Sequence, residues 1–180
     1  DNEGRLRVAV TTDGVQSSLL YRETEKDPFR TLATTDFKST LDPLFFSFDN
    51  QRLYVGSNLG RDKTAVYLYD LGAGRLLDLV YEHPEVDVSG LLRSKARQVI
   101  TGVAFTTDKP QYRFFDPERR RLQEALEARL PGRRVAVTGM SRDERRVIVR
   151  TFSDKSLGAC YLYEPSSGRL DKLAELSPWL

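Results

Sequence analysis

The chain has 180 residues, 39% hydrophobic and 30% charged, the ordinary balance of a folded, water-exposed domain. A net charge of +2 supplies no whole-molecule field for nucleic acid or acidic lipid, and a single cysteine excludes an internal disulfide framework. No apolar run is long enough to span a bilayer, and no basic-then-apolar leader opens the chain.

In chain order, Leu6, Val8 and Val10 alternate with Arg5, Arg7 and Ala9, the period of a half-buried strand. Thr12-Asp13-Gly14 turns the chain into a strand around Leu19-Leu20-Tyr21, and Asp27-Pro28 turns it again into a short strand near Phe29 to Leu32. A linker is expected from Ala33 to Pro43. Leu44-Phe45-Phe46-Ser47-Phe48 is a continuous apolar run suited to an innermost strand. Strands are predicted at Arg52 to Ser57, Ala65 to Asp70 and Arg75 to Val80, separated by the polar loop Ser57 to Thr64. Further strands are predicted at Asp87 to Arg93, Gln98 to Phe105 and Gln111 to Asp116. Asp116-Pro117-Glu118 then signals a helix start, with Asp as the cap and Pro in the first turn. Leu122, Leu126 and Leu130 share one helical face, and Pro131-Gly132 ends it. This helix is expected to replace or cover an outer strand. Arg134 to Val137 opens the last set of strands, which ends at Leu173.

These segments repeat. Asp49 to Leu76 returns at Asp143 to Leu170 with a constant offset of 94 residues and no gap. The aromatic strand Tyr67-Leu68-Tyr69-Asp70 becomes Tyr161-Leu162-Tyr163-Glu164, and Gly74-Arg75-Leu76 becomes Gly168-Arg169-Leu170. A copy between them, at Val99-Ile100-Thr101 and Phe114-Phe115-Asp116, sets the single period at 46 to 48 residues. Several short strands per period of this length mark propeller blades, small sheets that bury their faces by stacking on one another. The predicted fold is therefore all-β: a partial β-propeller of about four blade-like repeats with one inserted helix near 117–130. It is expected to form one domain over 1–180, with blades at roughly 5–32, 43–80, 87–130 and 133–174.

The chemistry in the sequence is sparse. His83 is the one imidazole, in the inter-blade linker Glu82-His83-Pro84-Glu85, and reads as a surface loop residue. Cys160 falls at the repeat position of Val66 and reads as a small strand residue facing the core. No Gly-x-Ser-x-Gly elbow, zinc-ligand spacing or phosphate-binding glycine loop occurs. No catalytic residue, metal or cofactor is predicted. Ten arginines between Glu118 and Arg150 face five acids, a local surplus that reads first as a solvated face with ion pairs, with a nucleic-acid patch or a docking surface for another domain as alternatives. The loops joining equivalent strands each carry opposite charges: Arg61 and Asp62, Asp108 and Lys109, Asp154 and Lys155. The repeat places these loops on one face, and they are the candidate substrate or interdomain residues, although plain turn chemistry also accounts for them.

The run Phe46-Ser47-Phe48-Asp49-Asn50-Gln51-Arg52-Leu53-Tyr54-Val55-Gly56-Ser57-Asn58-Leu59-Gly60-Arg61-Asp62 resembles the propeller of bacterial prolyl oligopeptidase family serine peptidases. So do Tyr81 to Asp87, Phe114-Phe115-Asp116-Pro117-Glu118 and Tyr161-Leu162-Tyr163-Glu164. The resemblance implies an N-terminal propeller that caps a C-terminal α/β-hydrolase domain and restricts substrates to peptides. That hydrolase domain, which carries the family's Ser, Asp and His, is expected to lie beyond Trp179-Leu180, so no catalytic residue carries over. Implied partners are the hydrolase domain and its peptide substrates, without nucleic acid or membrane, in a bacterial cytoplasm or periplasm. Self-association through exposed terminal blades is also expected. The alternative is a free-standing propeller-like interaction module with no enzymatic role.

Overall fold

The fold is seen in a computed structural model that describes residues 1–154 and 156–177. Among the described residues there are four antiparallel sheets and one helix. Sheet one contains β1 (Val8–Thr12), β2 (Gln16–Tyr21) and β3 (Arg30–Asp36). Sheet two contains β4 (Leu41–Phe46), β5 (Arg52–Ser57), β6 (Ala65–Asp70) and β7 (Arg75–Tyr81). Sheet three contains β8 (Val88–Ser94), β9 (Val99–Thr106) and β10 (Pro110–Phe114), and the helix α1 (Pro117–Arg129) follows it. Sheet four contains β11 (Arg134–Met140), β12 (Val147–Phe152), β13 (Ala159–Glu164) and β14 (Arg169–Glu175). Each sheet is a meander of chain neighbours, the blade arrangement that the repeat predicts.

The chain divides into two compact units, one of 1–92 and 102–113, the other of 93–101 and 114–180. In the first unit, Leu19 and Tyr21 of sheet one join Leu41, Phe46, Leu53, Val55, Tyr69 and Leu71 of sheet two and its adjoining turn in one buried cluster. Two small sheets thus bury a face of each, which neither could do alone. In the second unit, Leu126 and Leu130 of α1 pack on Val135, Val147, Val149, Ala159, Tyr161 and Tyr163 of sheet four.

The 94-residue repeat holds at the level of single hydrogen bonds. In the turn before β5, the Ser47 N–H donates to Arg52 O at 2.8 Å and the Asn50 N–H to Ser47 O at 2.9 Å. In the turn before β12, the Ser141 N–H donates to Arg146 O at 2.8 Å and the Glu144 N–H to Ser141 O at 2.9 Å. Both turns carry a serine hydroxyl that donates to an aspartate, Asp49 or Asp143, and both pass through a left-handed residue, Asn50 at φ 60° or Glu144 at φ 58°. Cross-strand pairs correspond as well: Val55 faces Tyr67 as Val149 faces Tyr161. Even the register irregularity recurs, between Pro43 and Phe45 and again between Val137 and Gly139.

Several sequence expectations shift. β3 runs on to Asp36 and β4 begins at Leu41, so the linker expected from Ala33 to Pro43 shrinks to a four-residue connection, 37–40. Ala33 and Thr35 pair with Leu19 and Ser17, extending a ladder that turn signals alone do not delimit. The period-2 alternation also breaks at its start, since Leu6 is exposed and Arg7 is buried. The Arg7 guanidinium lies over the rings of Tyr21 and Phe46 and donates to the Asn50 carbonyl at 2.9 Å and the Tyr21 hydroxyl at 2.7 Å. Aromatic faces and directed acceptors let a cation occupy a place that alternation assigns to an apolar side chain.

Candidate functional site

The described loop residues predicted as a site make mostly local pairings, each within its own unit. Arg61 turns away from Asp62 and donates to the Tyr67 hydroxyl at 3.0 Å and to Glu82 at 2.5 Å. These two acceptors, Tyr67 first, hold its guanidinium more firmly charged than usual. Asp62 pairs instead with the next residue, Lys63, at 3.2 Å. Asp108 and Lys109 face one another at 3.9 Å, both well exposed, and Asp108 also accepts from the Thr107 hydroxyl. Asp154 is exposed in the loop after β12, and Lys155 lies outside the described residues. Loops 57–64 and 106–110 belong to the first unit and loop 153–158 to the second.

What does gather is a set of side chains at the end of β7 and on β9 and β10, all in the first unit. Tyr81, Glu82 and His83 are consecutive. Tyr81 stacks on Phe105 with ring centroids 6.4 Å apart, and the His83 ring lies 4.5 Å from Phe105. The Arg113 guanidinium sits over the Tyr81 ring at 5.6 Å, while Glu82 holds Arg61 and, through it, Tyr67. The His83 Nδ1 accepts from the Glu85 and Val86 N–H groups at 3.2 and 3.3 Å. That bonding ties the imidazole to the backbone of the 82–87 loop. Asp87 accepts from the Thr64 N–H at 2.6 Å, so this loop is tied to the loop that carries Arg61.

Chemically the arrangement offers ring faces, two guanidinium groups and one carboxylate. Ring faces and guanidinium groups can contact a polar or charged chain through cation–π and hydrogen-bond interactions. Among the described residues no group of His, Cys, Asp and Glu is arranged to hold a metal ion, and no helix is long and apolar enough to cross a membrane. Cys160 stands in β13 opposite Arg150, half-buried, where its repeat counterpart Val66 is fully buried. Tyr67, Phe105 and Arg113 were not singled out from sequence. Their signal was present only as strand residues near predicted loops, and nothing in strand spacing shows which aromatic rings meet across separate sheets.

No protein-family model matches the chain. It is similar to dipeptidyl aminopeptidase BIII of Pseudoxanthomonas mexicana, with 29% identity over 153 residues, 85% of this chain and 21% of that protein. The chain thus spans about a fifth of this relative's length. The relative is a peptidase, the class that the sequence motifs resemble. Among solved structures, TolB from Acinetobacter baumannii aligns over 88% of this chain and 37% of its own, with 14% identity and a TM-score of 0.48. A structure described as part of an analysis of two prolyl endopeptidases aligns over 94% of this chain and 28% of its own, with 14% identity and a TM-score of 0.43. The described residues form four blade-like sheets and one helix, and the sheets themselves carry that assignment.

Proposed function

We propose that this chain is the propeller portion of a serine peptidase, where it caps an active site carried on another domain and restricts entry to peptides. The observation that carries the reading is the similarity over 153 residues to a dipeptidyl aminopeptidase. Blade-like sheets support it, because rigid sheets present loops that can line the approach to a neighbouring site. The cluster of Tyr81, Glu82, His83, Phe105, Arg113 and Arg61 is the recognition surface of this proposal, with ring faces and charges suited to an extended peptide. The chain itself supplies no step of hydrolysis in this reading.

The test is made on the intact gene product. Its sequence should continue into a Gly-x-Ser-x-Gly segment, and the purified protein should release the chromophore from dipeptidyl nitroanilides. Substituting Tyr81→Ala should raise KM severalfold while changing kcat little, the pattern of lost ground-state binding. A gene product that ends near Leu180, or one inert towards peptide substrates, overturns the proposal.

A further inference from the structure

Sheet three departs from the repeat at one telling position. On β6 and β13, Tyr67 and Tyr161 occupy equivalent places, 94 residues apart. On β10 that place, 46 residues after Tyr67 and 48 before Tyr161, belongs to Arg113. Tyr67 is half-buried and Tyr161 buried, and each hydroxyl accepts from an arginine: Tyr67 from Arg61 at 3.0 Å, Tyr161 from Arg133 at 3.2 Å. Arg113 is exposed. A guanidinium thus stands at the surface where the other two copies keep a ring that receives one. A place where one copy breaks the pattern of its repeats is where function is expected.

The neighbours of Arg113 say what it binds. Its guanidinium lies over the Tyr81 ring at 5.6 Å, Tyr81 stacks on Phe105, and the His83 ring is 4.5 Å from Phe105. The second cation of this cluster is committed, because Tyr67 and Glu82 take the two terminal nitrogens of Arg61. Glu82 is neutralised by the same contact. Among the described residues Arg113 has a ring partner and no carboxylate partner. A ring face beneath a guanidinium leaves its N–H edge to bond elsewhere, and that fork of donors matches the two oxygens of a carboxylate. We propose that Arg113 makes this surface selective for peptides that bring a carboxylate to it, held beside the rings of Tyr81, Phe105 and His83. The inference rests on the peptide-recognition reading of the cluster and adds a substrate class to it. The carboxylate has two sources, an acidic side chain or a free C-terminus.

The test compares three tetrapeptides on the intact gene product: a neutral peptide amide, the same amide with one residue changed to glutamate, and the neutral peptide with a free C-terminal carboxylate. If the protein hydrolyses dipeptidyl nitroanilides, the peptides are read as competitors of that hydrolysis. If it is inert, they are not consumed, and titration calorimetry reads their affinity directly. At low salt at least one carboxylate peptide should bind about fivefold tighter than the neutral amide. The arm that gains identifies the source of the carboxylate. Arg113→Gln should remove the advantage, and Arg113→Glu should transfer it to a lysine-containing amide. Arg113 is exposed, so neither substitution disturbs a core. Carboxylate peptides that bind no better than the neutral amide, or an advantage that survives both substitutions, overturn the proposal. An inert protein whose carboxylate preference is lost in Arg113→Gln sustains it and overturns only the peptidase reading. Failure of all three peptides to bind overturns both.

Discussion

At the scale of single residues, Asp116 does two tasks. Its carboxylate takes a forked pair of hydrogen bonds from Arg97, at 2.9 and 2.6 Å, and accepts from the Arg119 N–H at 2.8 Å as the cap of α1. Arg97 first, and then the cap, hold its carboxyl below the usual carboxylate range. A carboxylate with a depressed folded pKa stabilises above its unfolded pKa, about 4, and that contribution is lost as pH falls through the folded value. Asp116→Ala should thus cost about 1–2 kcal/mol in urea unfolding at neutral pH. The deficit of Asp116→Asn should fade as the pH falls below about 4; a deficit that stays constant down to the acid limit would contradict the assignment. Tyr69 is a different case. Its ring is buried in the first unit's core, yet its hydroxyl has no hydrogen-bond partner among the described residues. Tyr69→Phe removes a desolvated polar group without changing the packing, and should raise stability by about 1 kcal/mol in the same assay. Gly158, at φ +86°, is fixed by backbone crowding: a Cβ there would stand 1.6 Å from the Thr151 carbonyl oxygen. Gly158→Ala must move the chain, and should cost more than about 2 kcal/mol.

At the scale of elements, α1 shows how far sequence signals reach. Its start was legible from Asp116-Pro117-Glu118, because capping and proline chemistry act within one turn. Its length was legible from the leucines. Its packing partner was not. The helix leaves sheet three, yet its leucines pack on sheet four, and the Gln123 side chain donates to the Val135 carbonyl on edge strand β11 at 2.9 Å. The helix expected to replace or cover an outer strand of its own repeat instead covers a face of the sheet that follows it. Leu126 is fully buried there, and Leu126→Ala should cost about 3 kcal/mol in thermal or urea unfolding. Strand positions were legible because alternation and turn residues are local. The Arg7 inversion and the Tyr81–Phe105–His83 cluster were not, because they depend on which rings meet between strands far apart in sequence. The paired loop charges came from spacing alone, and spacing does not reveal that Arg61 has a stronger partner in Glu82 than in its neighbour.

At the scale of the whole molecule, five of the ten arginines between Glu118 and Arg150 hold local partners. Arg119 donates to Gln123, Arg120 to the Phe114 carbonyl and Arg133 to the Tyr161 hydroxyl, while Arg129 and Arg134 lie over the rings of Tyr163 and Phe152. A cation held over a ring or by a carbonyl is less open to a phosphate backbone than a free one. A labelled oligonucleotide should accordingly show no saturable binding at physiological salt; a steep salt-dependent affinity that drops in an Arg119–Arg121 alanine variant would overturn this.

The turns before β5 and β12 also bear on ancestry. They agree in hydrogen bonds, left-handed residues and strand register at a spacing of 94 residues, twice the blade period. The copies at 46 and 48 residues agree only in outline, and the intervening one ends in a helix where the others continue as strand. Fidelity at the double period and divergence at the single one is the pattern that duplication of a pair of blades would leave. The heritable module of this chain is then two blades long, and a search for lost or added copies in related genes should count in steps of that pair.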